Sequence, residues 1–123
     1  MHNPRSGAAS ILYGEHIYVF GGYTGRGERS RVIESYHEGD PSWRKLPFKL
    51  HEGLEGFLLI QSPSHPSSIY IFGGKTHDGK TNSVVEMNLD KSSVQYMKPM
   101  KEGRCYAKGY IHNKIVYLIG GGT

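Results

Sequence analysis

The sequence predicts an all-β chain built from a repeated four-stranded antiparallel unit, and three observations carry that prediction. Three segments, IYVFGG at 17–22, IYIFGG at 69–74 and VYLIGG at 116–121, share an apolar-Tyr-apolar-apolar-Gly-Gly pattern. Their first glycines, Gly21, Gly73 and Gly120, stand 52 and then 47 residues apart, and a period near 50 marks a repeat architecture. Runs of β-branched and aromatic residues are punctuated by Gly, Pro, Asp and Asn at intervals of roughly 8–12 residues, and no segment sustains an apolar period of about 3.6.

Each element follows from local pattern. Unit one opens with SGAASILY (6–13), a short strand turned at Gly14-Glu15 into HIYVFGG (16–22). The polar loop YTGRGERS (23–30) leads to a third strand, RVIESYHE (31–38). A Gly39-Asp40-Pro41 turn then gives SWRKLPF (42–48) as the fourth strand, because these turn residues supply the backbone angles of a tight reversal. Unit two starts at HEGL (51–54), mirrored by KEGR (101–104), and carries a longer loop, SPSHPSS (62–68), before its Gly-Gly strand. VIE (32–34) matches VVE (84–86), and Pro47 matches Pro99, both at the 52-residue offset. Units one and three align without a gap. Arg5 and Arg104 each precede the first glycine by 16 residues, and Ala8 pairs with Ala107, Leu12 with Ile111 and Ile17 with Val116. The strands number four, four and two.

Unit one also carries Tyr36 and Trp43, spaced Y-x6-W. In unit two a gapless alignment places Asn88 and Gln95 there, whereas a one-residue slip places Met87 and Val94. The slip is preferred, since a position packed between sheets does not carry two unpaired amides. A glycine pair ending a strand suits close backbone approach or positive φ, so Gly21, Gly22, Gly73, Gly74, Gly120 and Gly121 read as structural. Tyr36 and Trp43 offer the large flat area that a seam between neighbouring sheets needs. Trp43, the single tryptophan, is therefore the expected costliest residue to remove.

Composition narrows the function. The 123 residues hold one cysteine, Cys105, so no intramolecular disulfide forms, and a secreted, staple-dependent fold is disfavoured. FLLI (57–60) and IVYLI (115–119) are strand-length apolar runs; a membrane helix needs about 20 apolar residues. MHNPRSGAAS at the N-terminus has no apolar signal segment. The expected setting is cytoplasmic, with nuclear and cytoskeletal locations as variants of it. Net charge is +4, from 15 basic and 11 acidic residues. That is no dense basic stripe of a nucleic-acid binder, but it favours an acidic partner.

A hydrophobic run into Gly-Gly, then Tyr, then six residues and Trp, at this period, resembles the kelch repeat. The resemblance covers essentially the whole chain, as about two and a half repeats. It implies β-propeller blades, four-stranded antiparallel sheets set around a channel, in an incomplete ring. Blade one falls at about 5–49, blade two at about 54–100, and the first half of blade three at about 104–123. The departures are the lost Tyr/Trp pair in unit two, Leu54 where units one and three have arginine, and the absent second half of unit three. Since closed propellers have four to eight blades, the chain is expected to be a fragment of a longer kelch protein. Its remaining blades are expected mainly beyond Thr123, and the chain alone is expected to aggregate, oligomerise or fold marginally.

Several motifs invite chemistry. GKTHDGKT (74–81) satisfies the G-x-x-x-x-G-K-[ST] phosphate-loop pattern after the strand IYIF. That chemistry needs the loop to open a helix, yet NSVVEMNL (82–89) follows and reads as a strand. Asp78-Gly79 reads as the tight turn of a hairpin, and no nucleotide binding is expected. The seven histidines are scattered and no cysteine pair exists, so neither a metal site nor any other cofactor is expected. The adjacent Cys105-Tyr106 resembles a feature of some propeller oxidases, but adjacency builds no copper site. No Ser sits in a G-x-S-x-G elbow, so the expectation is no enzyme.

The charged loops remain. The loop after the first Gly-Gly carries Arg26, Arg29 and Arg31 against Glu28, and the next carries Lys75, His77 and Lys80 against Asp78; Arg5 and Arg104 open units one and three. In kelch propellers that resemble this chain, such loops crowd onto one face, where arginines recognise partner carboxylates; guanidinium forks suit that task. The plain alternative is ordinary solvated surface charge. The expected function is protein–protein recognition by a kelch scaffold, without nucleic acid or membrane. The runner-up is the substrate-recruiting propeller of a ubiquitin ligase adaptor, and a more distant one is a propeller enzyme acting on a sugar.

Overall fold

A computed structural model describes residues 6–121. Its strands run, in order, β1 (Ala9–Tyr13), β2 (His16–Phe20), β3 (Ile33–His37), β4 (Arg44–Lys45), β5 (Leu58–Gln61) and β6 (Ser68–Phe72). They continue with β7 (Lys75–Thr76), β8 (Gly79–Lys80), β9 (Val84–Asn88), β10 (Ser93–Tyr96), β11 (Lys108–His112) and β12 (Ile115–Ile119). No helix occurs among the described residues, hence none long and apolar enough to cross a membrane.

Two four-stranded antiparallel meanders, β1-β2-β3-β4 and β5-β6-β9-β10, are followed by the two-stranded β11-β12. The ten expected strands are present, and β7-β8 adds a two-residue hairpin between β6 and β9. The β1-β2 turn, Gly14-Glu15, has φ of 58° and 65°, and the β11-β12 turn, Asn113-Lys114, has 50° and 64°. Two consecutive left-handed residues form the hairpin turn whose twist matches the flanking strands.

The sheets fan out from an axis. First strands of successive units contact one another, β1 with β5 and β5 with β11. Just before them the backbone links unit to unit: the Gly56 N–H donates to the Gly7 carbonyl at 2.8 Å, and the Tyr106 N–H donates to the Gly56 carbonyl. Fourth strands lie at the outer edges. This is an open arc of propeller blades, the third blade having two strands.

The seam between units one and two holds the core. Alternation along each strand gives every sheet two faces. One face of unit one, with Ala9, Ile11, Tyr18, Phe20 and Ile33, packs on the face of unit two that carries Leu59, Ile69, Ile71, Val85 and Met87; Leu50, Leu54 and Phe57 close it at the Gly-Gly end. At the other end, Tyr13 Oη donates to Asp90 Oδ1 and Oδ2 at 2.8 and 2.9 Å.

The register settles the alignment of the units. Ile17 pairs with Tyr36, and its counterpart Ile69 pairs with Met87, which faces Val94 on β10. Met87 and Val94 therefore occupy the Tyr36 and Trp43 positions, as the slip requires. The slip begins earlier than the matched VIE and VVE suggest. Ile33 and Val84 are the true counterparts, paired with Phe20 and Phe72, because the loop after the second Gly-Gly is one residue shorter.

Two expectations need correction. SWRKLPF forms a strand only over Arg44–Lys45; an outermost strand needs few pairs, and Pro47 removes a donor. Among the described residues, Tyr36 and Trp43 do not lie in a seam between sheets. They share the opposite face of unit one with Leu12 and Ile17, which is turned away from unit two, and meet each other in a tilted contact with ring centroids 5.3 Å apart. Met87, the counterpart of Tyr36, is sealed between sheets and fully buried, whereas Val94, the counterpart of Trp43, is exposed.

Candidate functional site

Up-and-down strands sort the connections onto two ends of the arc. The Gly-Gly end gathers the loops after β2 and β6 and the crossings between units. Segments 23–32, 49–57, 75–82 and 97–106 together carry nine Lys and Arg against five Asp and Glu. The opposite end, at 13–16, 37–43, 61–68, 89–93 and 112–115, carries two against four. The chain's positive excess is concentrated at one end.

Both Gly-Gly loops are small hairpins that extend this end. Tyr23 bridges Ser6 on one side and Arg29 on the other, and the Thr24 N–H donates to the Glu28 carbonyl at 3.0 Å. In the second loop, β7 and β8 enclose His77 and Asp78 as the turn, one residue earlier than expected, and Thr76 Oγ1 donates to the Gly79 carbonyl at 3.0 Å. The segment with the phosphate-loop pattern is thus a hairpin leading into strand β9. No helix N-terminus gathers its amides.

The expected partner-contacting residues have different fates. Arg26, Arg31, Lys75, His77 and Lys80 are exposed. His77 Nε2 lies 3.3 Å from Asp78 Oδ1. Arg29 is committed internally: Nε and Nη2 reach Glu55 Oε1 at 3.0 and 2.9 Å, and side-chain exposures of 15% and 11% keep water from the pair. Its guanidinium also sits over the Tyr23 ring, 5.4 Å from the centroid. Arg104 Nη1 donates to the Gly120 carbonyl at 2.9 Å. Arg5 lies outside the described residues.

Glu55 is the residue the sequence reading passed over. Tyr106 Oη donates to its other oxygen, Oε2, at 3.0 Å. One carboxylate thereby joins the loop of unit one, the start of unit two and the start of unit three. Tyr106 has φ of 55° where Gly7 and Gly56 have 69° and 62°, a conformation that costs a non-glycine residue energy. Burial, then the Glu55 hydrogen bond, push its phenol pKa up.

A cleft of about 420 Å³ opens between units one and two on this end, lined by Gly27–Arg29, Arg31, His51–Gly53 and His77. It brings Arg29, Arg31 and His77 together and leaves Arg26, Lys75, Lys80 and Arg104 outside. Its inner wall is His51, whose two ring nitrogens are buried with no hydrogen-bond partner and whose ring meets Tyr96 edge-on at 5.6 Å. Burial, then the Arg31 guanidinium, hold the imidazole pKa below its ordinary 6.5. The unfolded chain therefore takes up that proton first as pH falls. His51 contributes stability above about pH 6.5 that is lost as pH drops through the lower folded value. The urea midpoint should fall on acidification across that window, and His51→Gln should flatten the slope; an equally steep slope in the variant would remove His51 as the cause.

Cys105 is a buried thiol, and among the described residues no group of three or more His, Cys, Asp or Glu is placed to hold a metal ion. The end of the arc is therefore a surface of loops with one shallow charged cleft.

Comparison with known proteins gives two findings. Residues 4–47 match the family described as the kelch motif. Beta-scruin of Limulus polyphemus is 26% identical over 129 residues, an alignment that takes in 98% of this chain and 14% of beta-scruin. The chain thus spans about a seventh of that relative's length.

Proposed function

We propose that this chain, of the kelch-repeat family, is a protein-interaction module of the cytoplasm or nucleus that takes an acidic partner segment on its Gly-Gly end and performs no chemistry. The charge asymmetry between the two ends of the arc is the observation that carries this reading. Rigid sheets position the loops, and binding residues concentrate on loops so held. The internal pairing of Arg29 and Arg104 shifts the burden to the exposed Arg26 and to Arg31, whose Nε donates to the Leu50 carbonyl at 2.9 Å and whose two Nη groups can still meet a carboxylate. Arg29 acts through Glu55 as a brace that fixes the loop from which Arg26 projects.

The test is binding to an array of acidic and charge-neutral peptides at low and high salt. Acidic peptides should bind preferentially, and binding should weaken as salt shortens the screening length to a few ångströms. Arg26→Glu should slow association several-fold while the melting transition stays in place, and adding Arg31→Glu, which also gives up the bond to the Leu50 carbonyl, should slow it about tenfold or more. Arg44→Glu, on the exposed outer strand, should change little. Peptide binding indifferent to salt and to the loop reversals would overturn the acidic-partner reading.

A further inference from the structure

Unit two ends on an outer strand that lacks the protection unit one carries. Both fourth strands, β4 and β10, lie at the rim of the arc with one edge turned away from the axis. Blades stack through their faces, so this edge lies outside every seam, those with further blades included. An unpaired strand edge invites a further strand unless charge, proline or brevity blunts it. Unit one uses all three. Its β4 is two residues long, Arg44 and Lys45. The Leu46 N–H donates inward to the Ile33 carbonyl at 2.8 Å, so alternation gives Lys45 and Pro47 the outward positions. One is charged, and the other has no N–H to offer.

Strand β10 has neither charge nor proline. Its four residues, Ser93–Tyr96, are uncharged and all exposed. The Met97 N–H donates inward to the Val84 carbonyl at 2.8 Å. Alternation from that bond turns the N–H and C=O of Val94 and Tyr96 away from β9. Their side chains share one face, 40% and 64% exposed, and offer apolar area to a neighbouring strand. Cations stand at both ends, Lys91 before β10 and Lys98 after it, each exposed. Asp90, the acid next to Lys91, is already taken by Tyr13 Oη.

We propose that β10 is a docking edge that takes an extended segment of a partner protein as a further strand, a segment β-branched at its centre with carboxylates at its ends. Charge selects this occupant. Lys91 and Lys98 meet the carboxylates of such a segment. Antiparallel pairing of two copies of this chain through Val94 and Tyr96 would instead bring Lys91 of one alongside Lys98 of the other, and like charges set together across strands destabilise the pairing. Main-chain hydrogen bonds give the added strand its affinity, and the charged ends give the choice of partner. The edge does not depend on the loop arginines of the Gly-Gly end.

The probe is a capped, labelled peptide of alternating Val and Thr with paired Glu at both ends, set beside a counterpart ending in Lys. Fluorescence anisotropy against the 123-residue chain should show saturable binding of the Glu-ended peptide, about tenfold tighter than the Lys-ended one. Amide exchange at Val94 and Tyr96 should slow when it binds. Val94→Pro removes an outward donor and leaves the bonds to β9 in place, the kind of edge position where a strand tolerates proline. Binding should then fall about tenfold, with the circular dichroism retained. Lys91→Glu with Lys98→Glu serves where that proline disturbs the fold, and should turn the preference toward the Lys-ended peptide. No saturable binding, equal binding of the two peptides, slowed exchange away from β10, or binding indifferent to these variants would overturn the proposal. Self-association of the chain that Val94→Pro abolishes would give the edge to a second copy and overturn it as well.

Discussion

Phe20→Ala should be the costliest apolar truncation in unit one, at about 3–5 kcal/mol, the range for deleting a buried aromatic ring and leaving a cavity. Phe20 is fully buried at the end of β2, paired with Ile33 and Ala9, and belongs to the cluster that joins units one and two. Its loss leaves a cavity in the cluster that also holds Leu54 and Phe57. Trp43→Ala should cost less, about 1–2 kcal/mol. The indole is half-exposed on the outward face and meets Tyr36 in a tilted ring contact, so less apolar area returns to water than at Phe20. Urea unfolding of both variants under identical conditions gives the order, read from the midpoints. A larger loss for Trp43→Ala would mean that its face is covered.

The repeat was legible because its signals are local. The Gly-Gly strand ends, the Gly14-Glu15 turn and the hairpin within GKTHDGKT each depend on residues a few positions apart. Met87 could be placed from polarity alone, since the alternative buried an amide. The seat of Trp43 could not. Strand alternation separates two faces but does not say which one meets a neighbour, and here the aromatic pair fell on the outer side of the arc. The internal pairing of Arg29 is likewise not legible, for its partner Glu55 lies 26 positions away and nothing in the loop sequence points to it. Tyr106 carried a signal that alignment of the units could have exposed, because it stands where units one and two have Gly7 and Gly56.

Gly73→Ala should be among the most damaging single-methyl changes in the chain, and Gly120→Ala the control that explains why. Both glycines open a Gly-Gly pair and both have positive φ, 62° and 72°. The left-handed backbone costs an L residue about 1–2 kcal/mol at either site. At Gly120 that is the whole penalty, because an added Cβ meets nothing within 4 Å. At Gly73 the same atom would stand 2.3 Å from the Arg104 carbonyl oxygen. That carbonyl accepts the Gly74 N–H at 2.7 Å, the bond that ties unit two to the start of unit three. The methyl must push the Arg104 backbone away and break this bond, adding about 1–3 kcal/mol of overpacking, for a total of about 2–5. Gly21, with the Leu54 carbonyl 2.8 Å from its added Cβ, should fall between the two. The difference between Gly73 and Gly120 isolates close approach from backbone angle, since among the described residues only Gly73 has a backbone carbonyl pressed against it. Equal losses at the two sites would show that φ alone demands these glycines and that the units are not held together at the Gly-Gly step.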